Sequence, residues 1–216
     1  MADINNHPDE RQHTVAAPEP SRYQGVIRRD LFERLEWPLW EPISSVRVLD
    51  LPLGPGGTPA WVPLFNGDTS EGVHPLGLQP ATNPPLSRLR VHLETITYHD
   101  WWQDAEMLDH IPKPLVMENT PDQGPITLAQ FVREVVAYAE SPAMLRAREA
   151  LWFPQRSHKD RLFYADCYEE KEVNVNGLSE GEWWLIGITD IAGFTEETWS
   201  KELEEQARRV QSSRGD

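Results

Sequence analysis

A pair of proline-bounded motifs constrains the fold most, because each motif leads directly into a periodic apolar pattern. The first motif, Pro-Ala-Thr-Asn-Pro-Pro-Leu, covers residues 80–86. Its consecutive prolines favour extended backbone, since proline fixes its own φ and disfavours helix in the residue before it. Residues 89–94 then alternate apolar and polar side chains, which predicts a strand with one buried and one solvent-facing side. Ile96 breaks the alternation, so the strand is expected to bulge or end there.

The second motif, Gly-Pro-Ile-Thr-Leu-Ala-Gln-Phe-Val, covers residues 124–132 and predicts the start of a helix. Thr127 is placed as the N-cap, and Gln130 stands three residues later, as in a capping box. The apolar residues recur at helical spacing through residue 139: Leu128, Phe131, Val132, Val135, Val136 and Ala139. This spacing predicts an amphipathic helix that packs on the sheet containing the 89–94 strand.

Shorter patterns predict the remaining elements. Strands are expected within 43–53, 61–65, 113–118, 173–177 and 182–188, with 113–118 pairing with the 89–98 strand and 182–188 in the centre of the sheet. A short helix is expected between residues 23 and 39 and a second from Ser141-Pro142 to about Trp152, with a stripe formed by Ala143, Ala147, Ala150 and Leu151. A last helix is expected from Thr195, with acidic residues in its first turn and arginines in its last.

These elements predict an α+β fold: a mostly antiparallel sheet with two or three helices packed on one side, plus a C-terminal helix. The expected boundaries are a disordered tail at 1–22, a single α+β domain at 23–192, the C-terminal helix at 193–210 and a flexible end at 211–216. The tail is polar, contains proline and lacks periodicity, as expected of a segment that cannot bury an apolar face.

Charge and composition narrow the classes of partner. The formal net charge is −15, which opposes binding to nucleic acid and to anionic membranes. No apolar run approaches the ~20 residues that a membrane-spanning helix needs, and the first thirty residues lack the apolar core of a secretory signal. A single cysteine, Cys167, excludes an internal disulfide and favours a cytoplasmic or nuclear location. The expected partner is an unknown protein or small ligand, and the oligomeric state is left open.

The order of these motifs resembles the fungal domain-of-unknown-function family 6699, found in mushroom-forming fungi. The residues that carry the resemblance are 81–86, 125–132, 161–163, 177–178 and 183–185, within a region of about 37–188. The resemblance implies a fold and a fungal origin, and it assigns no catalytic residue.

The loop around residues 98–110 is the main candidate for function, because it combines histidines, acids and adjacent tryptophans. Tyr98, His99, Trp101 and Trp102 are the candidate binding residues, since aromatic side chains beside charges often form binding hot spots. A structural role is the favoured alternative, in which one tryptophan anchors the loop in the core while the acids face water. The leading functional hypothesis is an intracellular, non-enzymatic protein-interaction or ligand-binding module.

Catalytic and cofactor signatures are weak. A small hydrolase or isomerase using His99 with Asp100 or Asp104 is the alternative hypothesis. A metal site could draw on His92, His99, Asp100, Asp109 and His110, but their spacing matches no established metal-site pattern. Cys167 or a serine could pair with His158 as nucleophile and base, but none of them lies in a recognisable nucleophile elbow. The glycine-rich segment at 54–57 lacks the lysine of a phosphate-binding loop. We therefore predict no catalytic residue, metal ligand or cofactor.

Overall fold

The computed structural model describes residues 27–51, 59–67, 72–93, 96, 112–151, 162–171, 184–194 and 196–212. The helices are α1 (Arg29–Phe32), α2 (Leu128–Ala139), α3 (Pro142–Leu151) and α4 (Glu196–Ser212), with two 3-10 turns at Ile43–Ser45 and Pro75–Leu78. The strands are β1 (Leu35–Glu36), β2 (Arg47–Asp50), β3 (Ala60–Pro63), β4 (Arg88–Leu93), β5 (Leu115–Glu118), β6 (Leu162–Lys171) and β7 (Trp184–Phe194).

The strands form two sheets, and the α+β prediction is confirmed. A three-stranded antiparallel sheet has the order β1-β2-β3, and a four-stranded sheet has the order β5-β4-β7-β6. In the larger sheet β5 pairs with β4 and β6 pairs with β7, both antiparallel, while β4 and β7 run parallel. The predicted pairing of 113–118 with 89–98 is confirmed, as is the central position of the strand near residue 186.

The two sequence motifs lie side by side. The backbone N–H of Ala81 donates to the carbonyl of Ile126, and that of Leu128 donates to the carbonyl of Gln79. The N–H of Ile126 donates in turn to the carbonyl of Leu86, and the Asn83-Pro84 peptide bond is cis. The first motif therefore supplies the backbone partners that fix where α2 begins and how it lies beside β4.

The α2 prediction is confirmed in its bounds, its cap and its buried face. The Thr127 side chain accepts a hydrogen bond from the Gln130 N–H at 3.2 Å. Its predicted apolar positions are all buried, and Phe131 packs edge-on against Phe32 and Trp37, with ring centroids 5.2 and 6.1 Å away. The second bond of the predicted capping box, in which the Gln130 side chain would bond back to the Thr127 N–H, is wrong. The Gln130 amide instead bonds to the Asn119 amide, which offers it both a donor and an acceptor.

Three shorter predictions need correction. The first helix covers only Arg29–Phe32, because Leu35 pairs with Val48 as part of a strand. In α3 the buried positions are Met144 and Ala147, whereas Ala143 of the predicted stripe is exposed. The segment assigned to 193–210 begins with the last residues of β7, and its helix covers Glu196–Ser212, in agreement with the helix expected from Thr195.

Strand β6 was not predicted from the sequence. Its ten residues include acidic ones and show no clear alternation of apolar side chains, yet they pair with β7 along almost the whole strand. Long-range pairing of this kind overrides weak local propensity. The predicted 173–177 strand lies outside the described residues.

Helix α4 packs on the three-stranded sheet, apart from the main core. Trp199 and Leu203 form one small buried cluster and Val210 joins Leu49 and Leu51 in another, with Trp61 packed against both. Trp199, Leu203 and Val210 thus form the buried face of α4. The helix is a separate layer that covers part of β2 and β3.

Candidate interaction surface

The described residues on either side of the candidate binding segment are buried. Ile96, just before it, is fully buried, and Pro112, just after it, is also buried. Beyond Pro112 the carbonyl of Lys113 accepts a hydrogen bond of 2.8 Å from the Tyr138 hydroxyl of α2. Ile96 thus lies shortly after the end of β4, and Pro112 and Lys113 lie just before the start of β5. Tyr98, His99, Trp101 and Trp102 themselves lie outside the described residues, as do Asp100 and Asp104.

In strand β4, more side chains are buried than the alternation of apolar and polar residues predicts. Leu89, Val91 and Leu93 are buried as expected, but His92 is also only 1% exposed. The prediction of a fully solvent-facing polar side is therefore wrong at this position. Strand β4 lies between β5 and β7, where His92 pairs with Gly187, and interior strands are covered more completely than edge strands.

Strand β5, which leaves the loop, forms one edge of the four-stranded sheet. The N–H of Asn119 donates to the carbonyl of Ser87 at 2.7 Å, and this bond shows which residues of β5 form hydrogen-bonded pairs with β4. Because bonded and non-bonded pairs alternate, Leu115 and Met117 direct their backbone groups toward β4. Val116 and Glu118 consequently direct their N–H and C=O groups away from the sheet. Their side chains are exposed as well, 48% for Val116 and 60% for Glu118.

A polar cluster fixes the turn after β5. The Asn119 amide donates to the carbonyl of Gly124 at 3.1 Å and exchanges hydrogen bonds with the Gln130 amide. Gln130 also donates to a Glu134 carboxylate oxygen at 2.8 Å. Gly124 has a φ of 73°, a conformation that favours glycine. The end of β5 is thus tied to α2, and the edge has a fixed direction.

A buried carboxylate links α4 to the smaller sheet. Both Glu36 oxygens accept hydrogen bonds from the Arg47 guanidinium, and the Trp199 indole N–H donates to Glu36 at 3.0 Å. Gln206 of α4 also donates to the backbone carbonyls of Glu33 and Leu35. This arrangement satisfies a carboxylate that burial would otherwise destabilise, and it serves the fold. No sequence signal points to it, because Glu36 and Trp199 are 163 residues apart.

His74 and Asp50 form the most chemically suggestive pair in the described part of the chain. The imidazole Nδ1 accepts a hydrogen bond of 3.2 Å from the Leu76 N–H, and Nε2 lies 3.8 Å from an Asp50 oxygen. Burial lowers the pKa of His74, Asp50 raises it and the nearby Arg34 lowers it. With Nδ1 committed to a backbone N–H, the imidazole acts as a cap for the following 3-10 turn.

The other predicted chemical groups are not brought together in the described structure. Among the residues it covers, no group of three or more His, Cys, Asp or Glu side chains is placed to hold a metal ion. His99, Asp100, Asp109 and His110 of the hypothetical metal set lie outside those residues, as does His158. Cys167 is half-buried and packs against the main core.

Comparisons with protein-family models, with curated proteins and with solved structures find no match to this chain. Within the described ranges, none of the helices is both long enough and apolar enough to cross a membrane. The geometry of the domain is therefore the basis for any functional proposal.

Proposed function

We propose that this chain is a non-enzymatic protein-interaction or ligand-binding module, and that its recognition surface includes Tyr98, His99, Trp101 and Trp102. The observation that carries the proposal is the burial of Ile96 and Pro112, the described residues that flank these four positions in the chain. A segment whose two flanking residues are buried has less conformational freedom than a chain end, which lowers the entropic cost of binding.

The composition of the loop supports the same function. Tryptophan and tyrosine provide large apolar contact areas with few rotatable bonds, and they are enriched in binding hot spots. The net charge of −15 favours a basic or neutral partner over nucleic acid or an anionic membrane.

We also propose an intracellular location and a fungal origin. The single cysteine supports the first, because secreted domains of this kind more often carry disulfides. The resemblance of residues 37–188 to family 6699 supports the second.

A capture experiment tests the proposed surface. The purified chain would be immobilised and the proteins it retains from a fungal lysate quantified by mass spectrometry, for the parent, Trp101→Ala and Trp102→Ala. We expect at least one substitution to reduce retention of a specific partner without changing the melting temperature. Leu78→Ala is the matched control, because Leu78 is an exposed apolar residue outside the loop, at 59% exposure.

Two outcomes would contradict the proposal. If both tryptophan variants lose ~3–5 kcal/mol of stability, the cost of deleting a large buried aromatic, the tryptophans are structural. If retention falls equally in Leu78→Ala, the captured proteins bind apolar surface without specificity. His99→Ala is expected to leave the fold intact and to change only partner retention.

A further inference from the structure

The outer edge of β5 has the properties of a strand-pairing site. The backbone N–H and C=O groups of Val116 and Glu118 point away from β4, and in the described part of the chain no other segment is hydrogen-bonded to them. Both side chains are exposed, so the sheet face beside this edge is open to solvent at these two residues. An exposed row of this kind is a template on which an extended segment can add a strand.

The opposite edge of the same sheet differs. There the N–H of Ala165 in β6 donates at 2.9 Å to the carbonyl of Trp37, so the chain itself occupies that edge at this position. No such bond from another described segment is formed to the outward backbone groups of Val116 and Glu118 in β5.

The charges along the β5 edge indicate what kind of strand fits. Glu118, 60% exposed, lies 3.8 Å from the half-exposed Arg88, so this ion pair is weak; the exposed Lys113 lies two residues before the start of the strand. The exposed Asp122 follows in the next turn, and the whole chain carries a net charge of −15. Pairing of two identical β5 edges would bring two such acidic chains together, which is unfavourable. A basic segment from another protein is complementary.

We propose that β5 pairs in the antiparallel direction with an extended segment of a partner protein, with an apolar residue opposite Val116 and a lysine or arginine opposite Glu118. These two partner residues stand two positions apart, because Val116 and Glu118 lie on the same side of their strand. The inference deepens the proposed interaction function and rests on it, because strand pairing at β5 is one way in which such a module would bind a partner protein.

Fluorescence anisotropy with a labelled peptide tests this pairing. The probe is a short repeat of Val-Thr-Lys-Thr, and a matched peptide carries glutamate in place of lysine. We expect the lysine peptide to bind more tightly. We expect Glu118→Lys to shift the preference toward the glutamate peptide by about threefold or more, the scale of a cross-strand charge pair.

Backbone modifications separate strand pairing from simple charge attraction. N-methylation of the valine and lysine residues blocks the peptide N–H groups that would face β5, and binding should be lost. N-methylation of the threonines blocks the opposite edge, and binding should be retained. Val116→Pro should also abolish binding while preserving the near-ultraviolet circular dichroism, because the N–H that it removes makes no bond to β4.

Several results would overturn the inference. These are no binding of either peptide, equal effects of both methylation patterns, or unchanged binding to Val116→Pro. A dimer that Val116→Pro dissociates would identify a second copy as the occupant instead. The double Trp101→Ala, Trp102→Ala variant should still bind the peptide. If the double variant binds the peptide and also captures lysate proteins as well as the parent does, the proposal for the tryptophans fails and the proposal for the β5 edge stands. If the double variant loses the peptide, the tryptophans and not the β5 edge bind it.

Discussion

The buried carboxylate of Glu36 gives the sharpest prediction about stability. Its side chain is 7% exposed, whereas that of its partner Arg47 is 43% exposed, so the two halves of the ion pair differ in access to water. The Trp199 indole N–H is the third member, and it ties α4 to the sheet. We expect the two ends of the pair to respond very unequally to substitution.

The magnitudes follow from this difference in burial. Arg47→Met keeps the aliphatic stem but leaves a buried carboxylate without its cation, which should cost about 3 kcal/mol, the lower end of the range for breaking buried pairs. Glu36→Gln keeps an acceptor for the Trp199 indole, and the half-exposed guanidinium can return to water, so the cost should be about 1 kcal/mol. The double variant buries no charge and should be more stable than Arg47→Met alone.

Urea denaturation followed by far-ultraviolet circular dichroism measures all three variants under the same conditions. The expected order of unfolding free energy is parent, Glu36→Gln, double variant and Arg47→Met, from most to least stable. If Glu36→Gln costs as much as Arg47→Met, or if the two losses add in the double variant, Glu36 is not the desolvated partner and the argument from burial is wrong.

Two further predictions concern caps. Thr127→Ala removes the side chain that accepts the Gln130 N–H and should cost ~1 kcal/mol in the same urea assay; an unchanged midpoint would contradict the capping role. Burial lowers the pKa of His74 from 6.5, so its neutral form stabilises the fold above that value and stability falls as pH drops below it. His74→Asn, which can accept the same N–H without titrating, should reduce this pH dependence; an identical pH profile would refute it.

Local sequence patterns were sufficient to predict those helices and strands whose caps and apolar spacing lie within the element itself. The apolar spacing of α2 and its threonine cap act within a few residues, so both its start at Leu128 and its buried face could be predicted. The same holds for the alternation in β4 and for the proline at the start of α3. Propensity and periodicity are short-range properties, and they describe such elements well.

The sequence did not reveal features that depend on which segments meet. β6 has acidic residues and weak alternation, and only its pairing with β7 makes it a strand. His92 follows the pattern of an exposed residue, yet its place in an interior strand buries it. Gln130 matched the reciprocal half of a capping box, but Asn119, brought close by the turn after β5, competes for its amide.

The candidate site, too, has features that the sequence identifies and features that only the tertiary structure shows. The sequence by itself identified the aromatic and charged loop, because the chemistry of those side chains is visible in the order of residues. Only the tertiary structure decided that Ile96 and Pro112 are buried, and that β5 forms a sheet edge with the backbone groups of Val116 and Glu118 directed outward. A strand becomes an edge strand through the order of strands in the sheet, which depends on contacts between residues far apart in the chain.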